Sequence, residues 1–330
     1  MTTYVAKLDN DVVPTQDTKI LLAGQLPVPP IVWDWSTEAE KDAKEAFDTA
    51  CKLGIAFFDT AELYGNGVSE RCIGQFRKDY SPEEHANQVI ATKFFPYAER
   101  TQFPDVLLSA LRDSLARLGV QKGDLYQIHG PIHKASISVV GNALADAVES
   151  GLVKTVGVSN YSKEQVREMH DTLKKRGIQL ASNQISYSMI HTRPETSGLI
   201  QTCHDLGVAV LAYSPLERGL LTGKFGYEGP FPEKRKDHFE GLDKAQLKNL
   251  LDTIQNLATK YGRQSSAIVL NWCICKGTIP LAGSRTAEHV KQNEAALHFR
   301  LADEEVASLD RYSFEGDVNR FWKSQGVEED

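Results

Sequence analysis

In the segment FFDTAELYG, Phe57 to Gly65, an apolar run stops at Asp59 and a tyrosine, Tyr64, follows in the next loop. A carboxylate ending a buried strand and a phenol held just beyond it suit proton transfer. A free phenol, with a pKa of about 10, is a poor acid near neutrality, and a neighbouring ammonium makes it a better one. Other apolar runs end in the same manner: Lys93 follows VIAT, His129 follows LYQI, Ser159 and Asn160 follow VGV, and Tyr213 follows VAVLA, while Gln184 lies inside SNQI. Taken singly, each is an ordinary capping or surface residue. Together they describe a polar rim, because unrelated strands have no reason to end alike.

What positions such a rim is read from the apolar periodicity. Short β-rich runs recur at 55–58, 88–92, 125–129, 154–158, 181–185, 208–213 and 278–282, each followed by a stretch of helical period. The stripe Val106, Leu107, Ala110, Leu111, Ser114, Leu115 and Leu118, with Gly119 as its stop, is one such helix. Alternating β and α elements imply a parallel sheet, and a closed (β/α)8 barrel places functional side chains at the C-terminal ends of its strands. The seven runs are one short of closure. The eighth belongs before a helix expected over 37–53, where only Ile31 to Trp33 is available between Pro29-Pro30 and a helix cap. Three residues are too few, so a strand is expected to be deleted or left out of the sequence. Omission is favoured, because losing a central parallel strand would unpair both its neighbours. Residues 4–22 suit a hairpin closing the barrel floor, and the polar, basic segment Glu228 to Gly241 an exposed loop. No linker or repeat divides the chain, so residues 1–330 are expected to form a single barrel domain.

Composition narrows the functional classes. With 330 residues, 41% hydrophobic and 25% charged, the chain can bury a substantial core. A formal charge of −7 disfavours a general nucleic-acid or anionic-membrane binder. The five cysteines are few and scattered, and Cys273 and Cys275 lack the second pair that a zinc site needs, so reduced thiols and no metal are expected. The N-terminal segment has no signal-peptide pattern, and no window approaches the roughly 20 apolar residues of a membrane span. A cytoplasmic protein is the expectation.

The segments DTAELYG, ATK, LYQIHGP, GLVKTVGVSNYS, NQISYS, LAYSPLERGLLTGK and IPLAGSRTAEHVKQNEAAL, in this order from about residue 43 to 309, resemble the aldo-keto reductase superfamily. The resemblance implies a (β/α)8 TIM barrel with an N-terminal β-hairpin and extra C-terminal helices, and an NADPH-dependent reduction of aldehydes and ketones to alcohols. It maps a catalytic tetrad onto Asp59, Tyr64, Lys93 and His129. The chemistry of these groups agrees. Hydride addition to a carbonyl leaves an alkoxide that must be protonated as it forms, which Tyr64 can do if Lys93 lowers its pKa. Asp59 keeps the buried ammonium charged, and a neutral His129 can hydrogen-bond the substrate oxygen.

No Gly-rich dinucleotide fingerprint follows a first strand, so the cofactor must be held otherwise than in a Rossmann fold. By resemblance, NADP(H) lies extended across the barrel top. Ser159, Asn160 and Gln184 match positions that bind the nicotinamide carboxamide, and Tyr213 the ring on which the nicotinamide stacks. Ser214, Leu216, Arg218, Gly219, Leu221 and Lys224 fall in the loop covering the pyrophosphate. Gly283, Ser284, Arg285, His289, Gln292 and Asn293 fall in the 2′-phosphate and adenine site, with Arg285 favouring NADPH over NADH. The alternative there is an ordinary helix capped by Ser284 or Thr286.

One departure stands out: the family's Gly-x-Gly-x-Trp strand has no counterpart, since PVPPI runs directly into VWDWSTEAE. Specificity is expected in the loops, with Phe94, Phe95, Tyr97, Phe321 and Trp322 as an apolar pocket mouth or, equally, as packing. A redox-sensing regulatory subunit with little turnover, like the potassium-channel β subunits, shares the fold and is the main alternative. A phosphate-handling barrel lyase would leave Tyr64 and Tyr213 without roles.

Overall fold

Parallel strands covered on both faces read as continuous apolar runs, and this chain's strands are buried in that way. A computed structural model of the chain describes residues 6–35, 40–233, 236, 239, 241–316 and 320–327. Strands β1 (Ile20–Leu22) and β2 (Leu26–Val28) form an antiparallel hairpin. Gln25, in its turn, donates to the carbonyl of Lys154 at 3.2 Å, so the hairpin covers the floor of the barrel. It lies C-terminal to the expected position, and residues 1–5 of the expected span lie outside the described residues.

Eight parallel strands then close the barrel: β3 (Val32–Trp35), β4 (Phe57–Asp59), β5 (Val89–Phe94), β6 (Gly123–Ile128), β7 (Val153–Ser159), β8 (Leu180–Ser186), β9 (Ala209–Tyr213) and β10 (Ile279–Ser284). The expected gap does not exist. Val32 to Trp35 pair with Leu281 to Ser284 on one side, and Trp33 and Asp34 pair with Phe58 and Asp59 on the other. Neither a deletion nor an omission is needed. The expectation failed because it measured the strand by its apolar length, whereas a ladder uses backbone N–H and C=O groups that Asp34 supplies as well as any residue. Pro29 and Pro30 precede the first paired residue, where a missing N–H costs no ladder bond.

The surrounding helices follow their stripes. In the helix Asp105–Leu118 the buried residues are Leu107, Ala110, Leu111, Ser114, Leu115 and Leu118, and Gly119 ends it with φ 67. The helix expected over 37–53 is observed at Glu40–Lys52; residues 36–39 lie outside those described. Its Phe47 stacks on Phe58 with ring centroids 4.3 Å apart. Phe58 therefore faces outward, and the two-residue period turns Asp59 into the lumen. The same alternation sends Thr92 to Glu70 on the outer helix Val68–Arg77 and Lys93 inward.

The chain ends in additional helices. Asp303–Asp310 is tied to Lys244–Tyr261 by Tyr261 and Lys260, which both donate to Glu305. The short helix Arg320–Ser324 lies at the barrel mouth, where Trp322 packs so closely on Gly130 that a Cβ there would sit 2.4 Å from the indole. In the expected loop 228–241, residues 234, 235, 237, 238 and 240 lie outside the described residues, and Phe239 is buried against Phe231 rather than exposed. Among the described residues, no helix is long and apolar enough to cross a membrane.

Candidate active site

The loop after β4 returns over the rim through Gly65, Asn66 and Gly67, whose φ values of 58, 51 and 78 reverse the chain ahead of the helix at Val68. Glycine at two of these three positions makes the left-handed run accessible. Tyr64 is thereby left half-buried above Lys93, whose Nζ donates to the Tyr64 hydroxyl at 3.3 Å and lies 4.8 Å from the ring centroid. Lys93 is fully buried; its ammonium also donates to Asp59 Oδ2 and, at 3.0 Å, to the Thr60 carbonyl. All three donors of the ammonium are thus used. Asp59 in turn accepts on Oδ1 from Gln184 at 2.9 Å and from Gln127 at 3.4 Å.

His129 completes the group. Its ring meets that of Tyr64 edge-on at 5.6 Å. Burial, and secondarily the Lys93 ammonium, holds the His129 pKa well below the usual histidine value, so the ring is neutral at physiological pH. Its Nδ1 has no partner among the described residues. Asp59 and Tyr64, at and just beyond the end of β4, are brought together with Lys93 of β5 and His129 after β6.

Beside them runs a second chain of hydrogen bonds. Tyr213 donates to Asn160 Oδ1 at 2.8 Å, Asn160 donates to Ser159 Oγ at 2.9 Å and to the His129 carbonyl at 3.1 Å, and Ser159 donates to the Gln184 carbonyl at 2.8 Å. Asn160 adopts φ 60 and Ser214 φ 57, which turns both strand ends across the mouth. These residues line a cleft of 230 Å³ with Asp59, Tyr64 and His129. The Tyr213 ring is half-buried there, and its hydroxyl is directed at Asn160.

From Ser214 the cleft continues into a larger cavity of 540 Å³. Ser214, Leu216, Arg218, Gly219 and Lys224 line it from one side, and Gly283, Arg285, His289, Gln292 and Asn293 from the other. Two residues expected there do not line it. Leu221 is fully buried in the apolar core, and Ser284 is buried, accepting from Asn293 at 2.9 Å. The helix Ala287–Glu294 is capped by Thr286, whose hydroxyl accepts from the His289 N–H at 3.3 Å. The Thr286 cap is one of the two the alternative reading expected, and Arg285 beside it stands exposed at the cavity. Among the described residues the lining holds three cations, Arg218, Lys224 and Arg285, and no carboxylate, a donor set that suits the phosphates of a dinucleotide.

Sequence reasoning missed Gln127, Ser265 and Ser266. Gln127 lies in the lumen near the C-terminal end of β6, in register with Lys93, donating to Asp59 and accepting from Ser182 at 3.2 Å. Ser265 and Ser266 open the helix Ser265–Cys275 at the larger cavity, and only their position at a helix start could have signalled them. At the mouth, Phe95 and Trp322 pack on His129 with centroids 5.6 and 5.8 Å away. Phe94 faces outward, packing on Phe103, and is not part of the mouth. Tyr97 and Phe321 are more than one third exposed.

The closed parallel barrel with its working face at the strand C-termini defines a (β/α)8 protein. The chain belongs to the aldo/keto reductase family: the sequence model of that family matches residues 31–313. It is 34% identical over 296 residues, 85% of this chain and 79% of the relative, to a chloroplastic pyridoxal reductase of Arabidopsis thaliana. It is 31% identical over 302 residues, 85% of each chain, to an L-glyceraldehyde 3-phosphate reductase of Escherichia coli. Among solved structures it superimposes with a TM-score of 0.74 on a Bombyx mori aldo-keto reductase in complex with NADP, at 25% identity over 94% of this chain and 98% of that one. The protein is thus a member of an oxidoreductase family.

Proposed function

We propose that this protein reduces aldehydes and ketones with NADPH, and that Tyr64 delivers the proton. One observation carries the reading: the Tyr64 hydroxyl lies 3.3 Å from a fully buried ammonium whose charge Asp59 maintains, beside a neutral imidazole, in a cleft that opens into a cation-lined cavity. Both relatives named above are reductases of aldehydes by their names, and the silk-moth structure holds NADP.

Arg218, Lys224 and Arg285 would hold the phosphates of NADPH, with Arg285 at the 2′-phosphate, and Ser159, Asn160, Gln184 and Tyr213 the nicotinamide end. The bound dinucleotide supplies a hydride. The protein's residues supply the rest. As negative charge grows on the carbonyl oxygen, the Tyr64 O–H donates its proton, and Lys93 stabilises the phenolate left behind. Asp59 prevents the buried ammonium from losing its proton, since an isolated cation there would discharge. Gln184 and Gln127 fix the Asp59 carboxylate, and so indirectly the lysine. His129 is kept neutral, which preserves one ring nitrogen as a donor to the substrate oxygen without adding a second cation beside Lys93. Phe95 and Trp322 shield the reacting oxygen from water, where hydrogen bonds to it count for more.

The test follows NADPH absorbance with a panel of aldehydes for the wild type and Tyr64→Phe. The substitution should reduce turnover by a factor on the order of 10² or more while NADPH still binds. Undiminished turnover would remove Tyr64 from the acid role.

A further inference from the structure

Strand β5 ends at Phe94, so Phe95 is the first residue whose backbone the sheet no longer serves. Its ring backs two rings that line the smaller cleft, meeting His129 edge-on at 5.6 Å and stacking on Trp322 at 6.4 Å. Two side chains take up its peptide groups. Glu62 Oε1 accepts from the Phe95 N–H at 2.7 Å, and Arg100 Nη1 donates at 3.0 Å to the Phe95 carbonyl, which also accepts from the Tyr97 N–H at 2.9 Å. Glu62 and Arg100 are themselves joined as a fork, Nη1 to Oε1 and Nη2 to Oε2, the second bond at 3.1 Å.

The two side chains are 10% and 23% exposed, so the pair is partly withdrawn from water, where an ion pair adds little to stability over apolar residues of similar volume. What a fork does hold is geometry, because two parallel bonds fix both planes at once. Glu62 stands two residues before Tyr64, and Phe95 two residues after Lys93. The pair therefore ties the loop of the proposed proton donor to the ring that backs His129 and Trp322. The Arg100 guanidinium also lies over the rings of Phe94 and Tyr97, 4.9 and 5.1 Å from their centroids.

We propose that Glu62 and Arg100 are positioning residues that clamp Phe95, keep the Trp322 and His129 rings in place behind it, and so suit the cleft to flat aromatic carbonyl compounds over small aliphatic ones. This rests on the reading that the chain reduces carbonyl compounds. An aromatic substrate packs on ring faces and edges of fixed orientation, and a wall already held still need not be ordered when it binds. A small aliphatic aldehyde has too little surface to gain from it.

The wild type is compared with Glu62→Gln, Arg100→Gln, Arg100→Lys and the double Gln variant. Binding of 4-nitrobenzaldehyde is read by quenching of tryptophan fluorescence, with and without NADP+, and KM and kcat with NADPH are measured for 4-nitrobenzaldehyde and for propanal. Each single Gln variant should weaken binding of 4-nitrobenzaldehyde and raise its KM on the order of 10-fold, with kcat and the KM for propanal little changed. The double variant should lose no more than either single one, because both break the same fork. Arg100→Lys, which keeps the charge and loses the fork, should resemble Arg100→Gln, and it decides the matter if a Gln variant does not fold. Equal losses for both aldehydes together with a lower melting temperature would reduce the pair to a structural tie and overturn the clamp, as would an unchanged KM for 4-nitrobenzaldehyde; the proposed function would stand in either case. If the wild type binds 4-nitrobenzaldehyde but reduces neither aldehyde, the proposed function falls and the quenching still judges the clamp. If it does not bind 4-nitrobenzaldehyde, the clamp falls.

Discussion

Lys93 and Asp59 form an ion pair with almost no exposed surface. Such pairs are a poor device for stability, since apolar residues of similar volume often replace them without loss. Their presence at the lumen end of β4 and β5 is better accounted for by the half-buried phenol 3.3 Å from the ammonium. His129 carries the pH consequence. Its folded pKa lies well below the ordinary value through burial first and the Lys93 charge second. As pH falls below about 6.5 the unfolded chain takes up a proton at this residue and the folded protein does not, so stability present at neutral pH is lost on acidification. The loss attributable to His129 is at most about 1.4 kcal/mol per pH unit. Melting temperatures between pH 6.5 and 5 should therefore fall more steeply for the wild type than for His129→Gln; parallel curves would mean that the imidazole is charged in the folded state. At this scale the sequence was largely legible, because each rim residue ends an apolar run. Gln127 was not, since a glutamine inside a strand gives no sign of which face it takes.

Elements decide what the rim residues meet. The lumen beneath the rim is crowded: a Cβ at Gly157 would lie 2.3 Å from Ser182 Oγ. The mouth depends on another close approach, that of the tail helix Arg320–Ser324 to the end of β6. Gly130→Ala should push Trp322 off its seat, because the new methyl would fall within 2.4 Å of the indole. The expected result is a changed tryptophan emission and a KM for aromatic aldehydes raised several-fold, with NADPH affinity less altered, because Trp322 lines the smaller cleft and not the cation-lined cavity proposed for the phosphates. Unchanged emission would show the tail to be seated elsewhere. The sequence offered Phe94, Phe95, Tyr97, Phe321 and Trp322 as equals. Strand alternation separated them, sending Phe94 outward and leaving Phe95 at the lumen.

At the scale of the molecule, closure is what brings the site together. β3 joins β10 to β4, and without it the cavity wall at Gly283 to Arg285 would have no fixed relation to Asp59. We propose that residues 1–330 act as one domain. Far-UV circular dichroism and tryptophan fluorescence should then report one coincident thermal transition. Two separated transitions would divide the chain.

The sequence by itself determined the order of strands and helices and the chemical types at their ends, because the two-residue and 3.6-residue periods and the local stops at Gly119 and Asp59 are written into neighbouring residues. It also carried enough motif to point to the family. Only the tertiary structure decided that Val32 to Trp35 close the barrel and that Leu221 and Ser284 turn into the core. Closure pairs Val32 with Leu281, from opposite ends of the chain, and no local pattern encodes that meeting or the packing it imposes on the side chains around it.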